Sequence, residues 1–244
     1  MIKRNYYKVV RVFPDPSSYF YIKNETMSDS YIYFNSSWLS TVNLEFSLDK
    51  VNWRRSEYGR IDVPADSYLY IRNTSGTFCT SEYTQILYPR VNISLGGDIR
   101  TLFNYTDVES VTKIPDYGFS RTFSMQDDSE IIDITNLSFR GITEIGNYGL
   151  QSAFSYMYIG TKGVDLRGIT TLGEGALNGL YADSINLTEA YAPNVSTWDT
   201  SKAEGWLSSV APTGVVYKPS TLDIPINDTS GIPSGWTTQD YPTI

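Results

Sequence analysis

The chain has 244 residues, a net charge of −8, one cysteine and no histidine. That length suits one or two domains with a buried core, and the residue inventory excludes an intramolecular disulfide, a Cys/His zinc centre and any Ser-His-Asp or Cys-His relay. The 19 basic residues form no run longer than Lys3-Arg4 or Arg54-Arg55, so the counterion-releasing tract that a phosphate backbone needs is missing and no nucleic-acid partner is expected.

Charged residues make up 19% of the chain and aromatic residues 14%, with 20 tyrosines. A surface that poor in charge is made of Ser, Thr, Asn and Tyr, which favours strands and turns over exposed helices. Lys8, Arg11 and Asp15 interrupt the only N-terminal apolar stretch, so no secretory leader is expected. No run approaches the length of a membrane-spanning helix, and no membrane partner is expected.

Residues 1–30 read as an extended arm broken by Pro14 and Pro16. Its apolar load is too large for a free tail, which leaves two readings. Either it is the first strand of the next unit, or it docks on a partner subunit through Tyr6, Tyr7, Val10, Val12, Phe13, Tyr19 and Phe20.

Residues 31–106 read as an antiparallel β-sandwich or small barrel, the sandwich being the expectation. In "VNLEFSL" (42–48), Val42, Leu44, Phe46 and Leu48 share one face, and Trp53 opens the next strand after the "DKVN" turn. Ile61 and Val63 precede a turn at Pro64-Ala65-Asp66, "YLYIR" follows it, and "VNISLGG" (91–97) ends on a glycine pair read as a turn. The pair carries neither a phosphate-binding nor a dinucleotide-binding pattern.

Residues 107–218 repeat themselves. "VTKIPDYGFSRTF" (111–123), "ITEIGNYGLQSAF" (142–154) and "ITTLGEGALNGLY" (169–181) align without gaps, at intervals of 31 and 27 residues. A short strand and a compact turn-helix per interval make a solenoid, in which each unit buries its apolar face only against the next. Ile142, Ile145, Leu150 and Phe154 are therefore expected in register with Ile169, Leu172, Leu177 and Tyr181. Trp198, Trp206, Val210, Val215 and Val216 form a degenerate last unit, and residues 219–244 close the stack as a cap or tail containing Ile232, Pro233 and Trp236.

Little in the chain points to chemistry. Cys79 lacks a cationic neighbour and reads as an idle thiol. Asp127, Asp128, Glu130 and Asp133 read as a solvated connection, because a spaced cation-binding loop is absent. No cofactor, metal or catalytic residue is expected. Tyr148, Tyr156, Tyr158, Tyr181 and Tyr191 recur in the repeats and are read either as core and lattice contacts or as a ligand face for a glycan or protein.

"LEFSLDKVNW", "DSYLYIRN" and "GGDIRTLF" resemble the β-domain that precedes BspA-like leucine-rich repeats in Bacteroidetes and their phages. "WLSSVAPTGVVYKPS" and "SGIPSGWTTQDY" resemble the ending of those proteins, and the three repeats resemble degenerate BspA-like units lacking the "MFxGCTSLT" phrase. The resemblance covers about residues 40–244. It implies a mainly β chain in which a sandwich is followed by a short leucine-rich-repeat-type solenoid.

In bacteria such proteins are similar to exported adhesins. In phages of Bacteroidales, crAss-like phages included, similar modules decorate heads and tails. Without a leader or lipobox cysteine, the expectation is a virion structural protein made in the host cytoplasm: a head fibre, an auxiliary capsid protein or a tail appendage. It would be a multi-copy homo-oligomer bound to other virion proteins, facing a host-surface glycan or protein, and not an enzyme. The alternative is a bacterial surface adhesin.

Overall fold

The computed structural model describes residues 19–34, 42–55, 59–74, 78, 87–89, 92–124, 132–157 and 161–241. They form a mainly β protein in which nearly all the buried apolar side chains belong to one continuous core.

The first part is antiparallel. Strands β1 (Phe20–Asn24), β3 (Leu44–Ser47), β5 (Tyr68–Asn73) and β7 (Ile93–Asp98) assemble in the order β3-β5-β1-β7. A second sheet has the order β4-β2-β6, from β2 (Ser30–Phe34), β4 (Arg60–Val63) and β6 (Leu87–Pro89). Period-two alternation decides which face each strand buries. Phe20, Ile22, Leu69, Ile71, Ile93 and Leu95 point inward, with Ile32, Phe34, Ile61 and Val63 from the smaller sheet in the same core. Buried Asn24 ties the sheets together, its Nδ2 donating to the carbonyls of Val63 at 3.2 Å and Pro64 at 3.1 Å.

Several expectations are corrected here. β1 is the central strand of the larger sheet, so Tyr19 and Phe20 are core residues rather than docking residues, at 6% and 2% exposure. The prolines at 14 and 16 lie upstream of this strand, and the run after them alternates as a central strand must. Tyr6, Tyr7, Val10, Val12 and Phe13 lie outside the described residues. Leu48 leaves the expected apolar face and is 42% exposed, because β3 ends at Ser47 where Asp49 begins a turn. Trp53 starts no long strand; its neighbour Arg54 makes a single bridge to Phe46.

The Gly96-Gly97 pair is strand, not turn. The Tyr21 ring occupies the space over Gly96, and Gly97, at φ +81°, lies against the Tyr19 carbonyl where a side chain would collide. After β7 the chain makes a one-turn helix, α1 (Thr101–Asn104).

The second part is parallel and stacked. β8 (Lys113–Ile114), β10 (Glu144–Ile145) and β12 (Thr171–Leu172) form one ladder in which Ile145 pairs with Ile114 on one side and Leu172 on the other. A second ladder has the order β11-β13-β14-β15: β11 (Lys162–Asp165), β13 (Glu189–Tyr191), β14 (Gly214–Lys218) and β15 (Trp236–Asp240). Residues 236–240 of the expected cap are thus one more strand of this sheet.

No sharp boundary falls near residue 106. β9 (Ile132–Ser138) pairs in parallel with β7 and also lies beside β11, so the antiparallel sheet runs on into the stack.

The expected turn-helix of each unit is a ribbon of turns. Alternate amides donate to the next coil: Leu150 to Ala176 at 2.9 Å, Ser152 to Asn178 at 2.8 Å and Phe154 to Leu180 at 3.0 Å. The amides between them close onto the residue three back, as Gln151 to Tyr148 and Ala153 to Leu150, both at 3.1 Å. This pattern needs a left-handed residue at every fourth position, and one is found at Tyr148, Ser152 and Tyr156, then at Gly175, Gly179 and Asp183. A continuous α-helix cannot form, because half its amides serve the neighbouring coil.

The ribbon turns Phe123, Phe154 and Tyr181 inward as a column, with neighbouring ring centroids 5.3 and 6.1 Å apart. Phe20 of β1 meets the same column at 5.9 Å from Phe123. Trp206, fully buried in the next coil, donates from Nε1 to the Gly231 carbonyl at 2.7 Å.

Candidate contact face

Because the sheets join through β7, β9 and β11, their outward positions form one long face. Its register can be followed strand by strand: Tyr70 on β5 pairs with Tyr21 on β1, Tyr21 with Gly96 on β7, and Gly96 with Asn136 on β9. On the far side Asp165 of β11 pairs with Tyr191 of β13, Tyr191 with Tyr217 of β14, and Tyr217 with Gln239 of β15.

Between β9 and β11 the face dips into a cleft of about 630 Å³. Its lining includes Asn136, Ser138, Arg140, Gly141, Asp165, Arg167 and Gly168.

Tyrosines flank the cleft on both sides. On one side Tyr21 and Tyr68 lie edge to face at 5.2 Å, Tyr70 stacks on Tyr68 at 5.8 Å, and the side chain of Asn136 lies against the Tyr21 hydroxyl. Lys50 sits over the Tyr70 ring at 4.5 Å. On the other side Tyr191 and Tyr217 stack at 5.0 Å with planes 18° apart, and the Arg167 guanidinium lies 5.5 Å from the Tyr191 ring.

The cations of this face differ in partnership. Arg167 holds Asp165 with two nitrogens, Nη2 at 2.6 Å and Nε at 2.9 Å. Arg100, behind Gly141, is buried and shared between Asp98 and Glu109. Arg140 is exposed and, among the described residues, has no carboxylate partner.

Burial pushes the Tyr21, Tyr70 and Tyr191 phenols up, reinforced by Tyr68 at the first two and by Glu189 at the third. These rings are therefore neutral donors across the physiological range. Burial also pushes Asp165 up, but the bonds from Arg167 outweigh it and leave the carboxyl below its ordinary value.

The tyrosines expected as a ligand face do not converge. Tyr181 is core, 1% exposed, its hydroxyl accepting the Val164 amide at 2.8 Å, and burial drives its phenol far above the ordinary value. Tyr148 stacks on Tyr117 at 5.3 Å along the ribbon, Tyr156 lies exposed at the ribbon's end, and Tyr158 lies outside the described residues. Of the set, only Tyr191 belongs to the long face. The members missed are Tyr21, Tyr68, Tyr70 and Tyr217; the first three were signalled by tyrosine alternating with apolar residues in "FYIKN" and "YLYIRN".

Among the described residues no group of three or more metal-ligating side chains converges, and no helix is long and apolar enough to cross a membrane. Cys79, Asp127, Asp128 and Glu130 lie outside the described residues. No family model, curated protein or solved structure matches this chain.

Proposed function

We propose that this chain is a structural and recognition protein of a bacteriophage virion, a head fibre, auxiliary capsid protein or tail appendage. It consists of a β-sandwich joined to a short BspA-like, leucine-rich-repeat-type solenoid. It acts without catalysis, as one of several copies, held to other virion proteins through the residues upstream of β1 and presenting its long face outward.

The observation that carries this reading is the construction of the face. Five tyrosines from four strands, on both sides of a cleft, stand on a frame whose core reaches from β1 to β15. Amphipathic rings held that way make contacts at low entropic cost, as recognition surfaces require.

The test is mass spectrometry of gradient-purified virions from infected cells, with gold-labelled antibody to locate the chain on the particle. Stoichiometric recovery with capsid or tail proteins is expected. Recovery only in the host envelope fraction would overturn the reading and make the chain a cell-surface adhesin.

A further inference from the structure

We infer that the cleft between β9 and β11 and its flanking tyrosines bind an oligosaccharide carrying an acidic sugar. This deepens the contact-face reading above and rests on it.

The geometry suits an extended chain of rings. Tyr21 and Tyr191 stand four strands apart, roughly 20 Å at the usual strand spacing. A chain crossing that distance meets apolar ring faces at each end and hydrogen-bonding groups in the middle. Sugars present the same alternation, with flat C–H faces that pack on aromatic rings and hydroxyl rims that need donors and acceptors. Asn136 and Ser138 supply donors and acceptors at the cleft, and the phenol hydroxyls supply more at its ends.

The charge argues for an acidic member. The protein is strongly acidic overall, yet the cleft holds the exposed Arg140 guanidinium, which no described carboxylate neutralises. Arg167 in the opposite wall is already occupied by Asp165. One open planar cation at the cleft matches one carboxylate, which it can engage with two parallel bonds. A neutral glycan would leave it unpaired.

The test uses the purified full-length chain on an array of microbial oligosaccharides, pairing uronate-containing chains with neutral ones of equal length. Hits are followed by calorimetry at low and high salt. Retention of uronate glycans over neutral ones is expected, weakened by salt. Arg140→Ala, at an exposed position, should weaken uronate binding about tenfold and leave neutral binding unchanged. Tyr217→Ala should weaken both, with circular dichroism and Tyr217→Phe separating ring loss from unfolding.

No uronate glycan retained, or retention that neither variant changes, overturns the inference. A chain found on virions that retains no glycan refutes this inference alone. A chain that binds uronates but is missing from virions refutes the virion reading alone.

Discussion

The antiparallel part and the stacked part solve the same burial problem in opposite ways. In β1, β5 and β7 neighbours in space are distant in sequence and differ in residue type, as Phe20 against Ile71 or Ile22 against Leu95. In the stack, neighbours are equivalent positions one coil apart, Ile114 on Ile145 on Leu172 and Phe123 on Phe154 on Tyr181. The first part specifies its register by alternation and the second by repetition. Repetition carries a backbone cost, since the ribbon requires left-handed residues at fixed intervals. Only some of them are the glycines that adopt that conformation freely.

The comparison breaks most sharply at β1. Removing residues 1–30 deletes the central strand with both of its ladders and takes Phe20 and Ile22 from the core. The product should be insoluble, whereas removal of residues 1–18 should leave a folded chain. Solubility and far-ultraviolet circular dichroism decide between them. A soluble, folded 31–244 fragment would show that the fold does not depend on the central strand β1.

Leu150→Asp tests whether the two parts fold together. An unpaired carboxylate at this fully buried ribbon position should cost more than about 4 kcal/mol. Because one core joins the parts, the loss should take the antiparallel sheet with it in a single melting transition. Two separate transitions would make them independent units.

The ribbon's left-handed positions give a finer contrast. Gly175 lies at φ +56° with the Tyr148 ring where a side chain would sit, so Gly175→Ala should destabilise by about 1–3 kcal/mol. The reverse change at an equivalent position, Ser152→Gly, removes strain at φ +49° and should be neutral or stabilising by about 1 kcal/mol at most. Denaturant midpoints measure both. Equal losses at the two sites would contradict the four-residue pattern.

The smallest expected effect is alkaline. Burial raises the phenol of Tyr181, and to a lesser degree those of Tyr21, Tyr70 and Tyr191. Between the ordinary value of 10.0 and the raised one, the folded state binds more protons than the unfolded state. The stability is therefore complete below about pH 10 and falls as pH rises further. Chemical denaturation across that range should show a steeper decline for the native chain than for Tyr181→Phe.

The gapless alignment of residues 111–123, 142–154 and 169–181 was enough to place Ile145 on Leu172, because equivalent apolar positions must stack when one unit cannot bury itself. Alternation likewise identified Leu44 and Phe46 of "LEF" as inward. The sequence by itself therefore determined a mainly β chain, the repeat interval and most of the core, all of which follow from local periodicity.

Only the tertiary structure decided the rest. Phe20 reads equally as an arm residue or a strand residue until β5 and β7 are in place to pair on both sides of it. The ribbon is not a helix because alternate amides find acceptors in a neighbouring coil, which no window of sequence contains. Tyr21, Asn136, Arg140 and Tyr191 meet on one face because β7 accepts β9 in parallel and β11 lies alongside. Hydrogen-bond pairing within each sheet and the packing of β9 beside β11 set that juxtaposition, and both are properties of partners, not of either strand alone.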